Sequence, residues 1–182
     1  MSQISEVSRR YAKALFEISE EAGTTDKVLA DLQSIAGALD EEGKAFKVLL
    51  APLLSNEEKN QFIRHAFSKG LQSPEVIDFL YLLVEKERVS SIFEIIFAYQ
   101  RLCDDKNDVV RGIVRSKAKL EDRDRGEIED AITKRLGKKT LIQYQEDDAV
   151  IGGIKAEVGS YLFDGSIESQ IRMLNDDLTR SN

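Results

Sequence analysis

The hydrophobic pattern of this chain changes period at Asp104-Asp105-Lys106-Asn107-Asp108, and no other feature constrains the fold as much. Before this polar run, apolar residues recur at spacings of three and four, the signature of one helix face. After it, Val109, Arg111, Ile113 and Arg115 alternate with Val110, Gly112, Val114 and Ser116, the two-residue period of a strand. One element cannot carry both periods, so the run reads as a domain boundary. Residues 1–105 predict an all-α six-helix bundle and residues 106–182 a small α/β domain, α+β overall.

From Ser5 to Glu21, Val7, Tyr11, Ala14, Leu15 and Ile18 form a stripe expected to be buried, which Ala12 and Phe16 widen. Gly23 is expected to stop this helix, with Thr24-Thr25-Asp26 capping a second that runs to Asp40. A short helix from Lys44 to Leu50 precedes Pro52. Ser55 and Glu58 make a capping box for a fourth helix, closed by Gly70. Ser73-Pro74 supplies a cap and a first-turn proline to a fifth, whose residues Val76, Ile77, Phe79–Val84 are apolar nearly all round. A helix without a polar face is either central or covered by something else. The sixth is expected from Ser90 or Ser91 to about Leu102.

Beyond the boundary, a charged helix from Leu120 to Leu136 carries a thin stripe of Ile128, Ala131, Ile132 and Leu136 and ends at Gly137. Three short strands are expected at 140–145, 153–158 and 161–163, the last two joined in a hairpin near Gly159-Ser160. Ser166 can cap a final helix from Ile167 to Leu178, with Ile171, Leu174 and Leu178 inward. Asp147, Gly152, Gly153, Gly159, Asp164, Gly165 and Ser166 are therefore turn and cap residues. They include no nucleophile–base pair and no metal cluster.

Charge and composition exclude several function classes. Net charge is −7, with 12 basic against 18 acidic side chains in residues 1–105 and 14 against 15 beyond. An acidic chain repels phosphate backbones and anionic lipid, so protein partners are expected rather than nucleic acid or a membrane surface. No window is apolar enough to insert into a bilayer, and no secretory signal is read at the N-terminus, so a bacterial cytoplasmic location is the default expectation. An RNA-binding six-helix domain would need a basic face that residues 1–105 lack.

Enzymatic chemistry finds no foothold. His65 is the one histidine and Cys103 the one cysteine, so neither a zinc set nor a catalytic triad can be assembled. The acidic runs Asp40-Glu41-Glu42 and Glu146-Asp147-Asp148 lack the spacing of a calcium loop. Gly152-Gly153 precedes a strand and is followed by no Gly-Lys-Ser/Thr, so it reads as backbone relief rather than a phosphate loop. No catalytic residue, metal ligand or cofactor is expected. What the pattern does flag is excess apolar surface on the first and fifth helices. Small Ala12 and Ala14 beside Tyr11, Leu15 and Phe16 would leave a groove that 76–84 could wall. A well-packed core and a helix-in-groove interface both fit.

Three segments carry a family resemblance. VSRRYAKALFEIS, with Tyr11, Ala12, Ala14, Leu15 and Phe16 after an arginine, is similar to the opening of the delta subunits of bacterial F-type ATP synthases. The mitochondrial counterpart of that family is the oligomycin-sensitivity-conferring protein. Asp78 to Leu102, including Arg88, resembles its fifth and sixth helices, and Asp147 to Leu178 its closing segment. The chain departs from the family at Asp148, where proline is common, at Glu168 and Gln170, where basic residues are common, and at Ser116-Lys117.

The resemblance implies a non-catalytic stator subunit of the proton-translocating enzyme. One copy in a hetero-oligomeric complex would link the catalytic head to the peripheral stalk, so that rotation is coupled to ATP synthesis. It implies that the groove between helices one and five takes the N-terminal helix of an alpha subunit, with Tyr11, Ala14, Leu15, Asp78, Phe79 and Leu82 as candidate contacts. The second domain would bind the b subunits of the stalk. The location implied is peripheral, on the cytoplasmic face of the bacterial inner membrane. On this reading, Leu15→Asp or Leu82→Asp would cost more than about 2 kcal/mol of head binding.

Overall fold

The computed structural model describes residues 4–39, 43–67, 70–167 and 169. The chain is mixed helix and sheet. It separates into two compact units, Met1–Cys103 and Asp104–Asn182. In the first lie α1 (Glu6–Glu21), α2 (Thr25–Leu39), α3 (Lys44–Leu50), α4 (Asn56–Phe67), α5 (Pro74–Glu85), a 3₁₀ turn (Val89–Ser91) and most of α6 (Ile92–Lys106). In the second lie β1 (Val109–Ser116), α7 (Asp122–Leu136), β2 (Lys139–Glu146), β3 (Ile154–Val158) and β4 (Tyr161–Asp164).

The helix starts follow their local chemistry. Ser5 caps α1, its Oγ accepting from the Ser8 N–H at 3.2 Å. The box at Ser55 is reciprocal: Glu58 N–H donates to Ser55 Oγ at 3.3 Å, and Ser55 N–H donates to Glu58 Oε2 at 2.8 Å. Pro74 opens α5, but Ser73 does not cap it with its side chain. Asp31 of α2 orders the approach to the helix, its buried carboxylate accepting from the backbone N–H groups of Gln72 and Ser73 at 2.8–3.1 Å.

The buried face of α1 differs from the expected stripe. Ser8, Ala12, Leu15 and Ser19 are buried, whereas Ala14 is exposed and Ile18 is 54% exposed. Two serines can face the core because each has a partner there. Ser8 Oγ donates to Glu94 Oε2 at 2.9 Å, and Ser19 Oγ lies 2.7 Å from the hydroxyl of fully buried Tyr99. Burial pushes that phenol well above its usual range. The apolar residues left over, from Tyr11 to Ile18, are thereby turned toward α5.

Helix α6 continues through Asp104, Asp105 and Lys106 rather than stopping near Leu102. Arg111 of β1 grips the Asp104 carboxylate with two hydrogen bonds of 2.6 and 3.0 Å, so the acidic residue is satisfied within a helical turn. The break itself is set at Asp108, whose φ of 52° ends the helix. Cys103 is buried in this last stretch.

The sheet of the second unit has strand order β2-β1-β3-β4. β1 and β2 are parallel and joined through α7, whereas β3 pairs antiparallel with β1 and with β4. Val114, Ile132, Ala156 and Val158 form the core between α7 and one sheet face. Tyr144 donates to Arg125 O at 3.0 Å, and burial followed by the Glu129 hydrogen bond pushes its phenol up to about 12. Gly137 ends α7 in the left-handed conformation. The expected run to Leu178, with Ile171 and Leu174, lies outside the described residues, as do Asp40, Glu41 and Glu42.

Candidate functional site

Helices α1 and α5 run antiparallel. Near the middle, Tyr11 and Phe79 meet edge to face, and at one end Thr24 Oγ1 donates to Glu75 Oε1 at 3.3 Å. Between them lies a groove of about 260 Å³ lined by Tyr11, Ala14, Leu15, Ile18, Glu75, Asp78, Phe79 and Leu82. Each wall is one helix face at spacings of three, four and seven residues, so the two rows stand opposite each other. All six residues singled out in the sequence line this one groove.

Leu15 and Phe79 form its floor, at 2% and 7% exposure, while Leu82 on the rim is 39% exposed. Ala14 gives the groove its depth, since a methyl group there leaves space that a larger side chain would fill. The lining is apolar except for the Tyr11 hydroxyl, Glu75 in the first turn of α5 and Asp78 one turn further on. Such a concavity suits a row of apolar side chains, not a reaction, because no nucleophile stands beside a base in it.

Ile18 and Glu75 line the groove but were not among the expected contacts. The signal for both was present. Ile18 completes the series begun by Tyr11, Ala14 and Leu15, and Glu75 lies one turn before Asp78 and Phe79.

The glycines near the C-terminal end hold a turn together. Gly153 has φ of 78°, and a Cβ there would run into the Gly165 backbone. Gly165 N–H donates to Ile154 O at 2.9 Å and Ile167 N–H to Gly152 O at 3.0 Å, so the chain leaving β4 is laced to the chain entering β3. Asp164 Oδ1 accepts from Ser166 N–H at 3.0 Å and Oγ at 2.6 Å, and Ser166 Oγ accepts from Ser169 N–H at 3.3 Å. Gly159 takes φ of 60° between β3 and β4. These residues position backbone. Among the described residues no group of three or more His, Cys, Asp or Glu side chains could hold a metal ion. No helix of the described residues is long and apolar enough to cross a membrane.

Similarity to known proteins covers both units. The profile of the ATP synthase delta (OSCP) subunit family matches residues 7–178. The chain is 35% identical to the ATP synthase subunit delta of Bdellovibrio bacteriovorus over 178 residues, covering 98% of each chain. It is also 35% identical to that of Shouchella clausii, over 94% of this chain and 95% of the relative, and 30% identical to that of Clostridioides difficile, over 97% of each. A chain in the cryo-EM structure of the Toxoplasma gondii mitochondrial ATP synthase hexamer superposes with a TM-score of 0.74 at 21% identity, covering 96% of this chain and 98% of that one. At that identity the likeness speaks for the fold. A match of this extent, over both the groove-bearing helices and the glycine-laced sheet, places the chain in the ATP synthase delta (OSCP) subunit family.

Proposed function

We propose that this chain is the stator link of a proton-translocating F-type ATP synthase, joining the catalytic head to the peripheral stalk. The family is one of non-catalytic ATP synthase subunits. A rotary enzyme delivers work only if its head is kept from turning with its rotor, and a subunit that transmits torque needs long-lived contacts rather than chemistry. Residues 1–105, as a six-helix bundle, bind the N-terminal helix of one alpha subunit in the groove between α1 and α5. Residues 106–182 bind the b subunits. The subunit is present once per complex and sits peripherally on the cytoplasmic face of the bacterial inner membrane.

The observation that carries this reading is the groove itself. Two helix faces leave Leu82 and Ile18 uncovered on either side of an apolar cleft in a family of multisubunit-complex components. Covering it with an amphipathic helix removes that surface from water. Slow dissociation implies nanomolar binding or tighter, about −12 kcal/mol. The test is calorimetric titration of the full chain with a synthetic peptide of the cognate alpha subunit's N-terminal segment. One-to-one binding that is lost in Leu82→Asp supports the reading. Absence of binding by the folded chain moves the head contact elsewhere.

A further inference from the structure

We infer that Tyr99 and Glu94 of α6, neither of which lines the groove, are positioning residues for its occupant, because they fix the angle at which α1 is turned about its own axis. The inference rests on the groove reading above and adds what holds one wall in shape. The two anchors grip α1 near its two ends. At the first, Glu94 Oε2 accepts from Ser8 Oγ at 2.9 Å and from Ser5 N–H at 3.3 Å. At the second, the Tyr99 hydroxyl lies 2.7 Å from Ser19 Oγ and donates to Thr25 O at 3.3 Å. Phe16 meets the Tyr99 ring edge to face, centroids 5.8 Å apart. Ser8, Ser19 and Tyr99 are fully buried.

Eleven residues make three turns of helix to within about 20°, so Ser8 and Ser19 lie on one side of α1. A hydroxyl is held on a buried face only where its partner stands, since turning it away would leave it unsatisfied. Two such contacts, three turns apart, therefore lock the rotation of α1. Apolar contact alone does not, because hydrophobic burial is non-directional and the apolar band on α1 extends from Tyr11 round to Phe16. Ile18 is one residue, about 100°, round from Ser19, and Tyr11 and Ala14 share its side. That is the side lining the groove. A turn of about 30° would move side-chain ends by about 3 Å on a helix of ordinary girth. Such a shift puts this row of side chains out of register with an occupant's apolar row, although no groove residue has changed.

The test uses the full chain and the alpha-subunit N-terminal peptide, with affinity read by calorimetry and stability by urea unfolding. In Ser19→Ala/Tyr99→Phe both members of the buried pair lose only their hydroxyls, so neither is left unsatisfied and the unfolding midpoint should stay close to that of the wild type. Peptide affinity should nevertheless fall about tenfold, because the direction imposed by the pair is gone. Glu94→Leu should weaken the peptide by a similar factor, whereas Glu94→Gln, which keeps an acceptor for Ser8, should recover most of it. A contribution to stability alone would move affinity and unfolding midpoint together. If affinity falls only in variants whose midpoint falls with it, the inference is overturned. A variant that binds as the wild type does removes its own anchor from the role. If Ser19→Ala/Tyr99→Phe and Glu94→Leu both do so, the inference is overturned and the groove reading stands. A wild type that binds no peptide removes the groove reading and this inference together.

Discussion

Tyr11 of α1 and Phe79 of α5 meet edge to face, ring centroids 6.4 Å apart and planes inclined by 67°. This pair joins the two walls of the groove, so the spacing of α1 and α5 is set within the fold. Preformed geometry matters for affinity, because ordering costs are then met in folding rather than on binding.

The two polar substitutions suggested by the sequence should behave differently. Leu82 is 39% exposed, so Leu82→Asp should change unfolding free energy by less than about 1 kcal/mol while costing more than about 2 kcal/mol of peptide binding. Leu15 is 2% exposed, and Leu15→Asp should lose about 3 kcal/mol of stability or more, making it a folding variant. Ala14→Asp, on an exposed position of the same wall, is the better companion to Leu82→Asp. Urea denaturation beside calorimetry separates the two effects, and equal stability of the Leu15 and Leu82 variants would contradict this burial pattern.

Gly153→Ala should destabilise the second unit by about 3 kcal/mol, because it combines a φ of 78° with a Cβ driven into the Gly165 backbone. Gly165→Ala should cost distinctly less, since its nearest neighbour, Ile154 O, would lie 3.5 Å from the new Cβ. Thermal unfolding of the two variants side by side gives the comparison, and the reverse ranking would refute it.

Asp31→Ala should cost about 2 kcal/mol, through two backbone N–H groups left without an acceptor in the approach to α5. Peptide binding should weaken too, because that approach sets where Glu75 and Asp78 stand. Hydrogen exchange at the Gln72 and Ser73 amides is the direct measurement. Unchanged protection would mean another acceptor takes over.

Stability should also show a pH signature at Glu94. Hydrogen bonds from the Ser8 side chain, then from the Ser5 side chain and N–H, hold its carboxyl below the usual 4.5. The folded state favours the ionised form, so the contribution is fully present above the unfolded value and is lost as pH falls through the lower folded value. Comparing thermal midpoints of the wild type and Glu94→Gln from about pH 6 down to about pH 3 should show the wild type's advantage shrinking. A gap that stays constant would remove Glu94 from this role.

Much of the architecture was legible in local chemistry. Ser55 with Glu58, Pro74, Gly137 and the strand alternation from Val109 each specify backbone through bonds to near neighbours, which a sequence displays directly. The misread features all depend on distant partners. The approach to α5 is fixed by Asp31, some forty positions away, which no local pattern displays. Helix α6 outruns its expected end because Arg111, on the next strand, satisfies Asp104. Ile18 and Glu75 share helix faces with expected groove residues, so periodicity held them in view without assigning them.

The sequence by itself determined the helical and strand periods, the caps, and the groups that share each helix face, because these follow from backbone geometry and short-range hydrogen bonds. Only the tertiary structure decided which side of the apolar band on α1 is buried. Ser8 and Ser19 turn inward because Glu94 and Tyr99, more than seventy positions away, complete their hydrogen bonds. That rotation leaves Ala14 and Ile18 facing the groove and seals Leu15 beneath it. Periodicity gives an angle around a helix axis; what fills the space at that angle is a property of the neighbouring helices, and it decides core from binding surface.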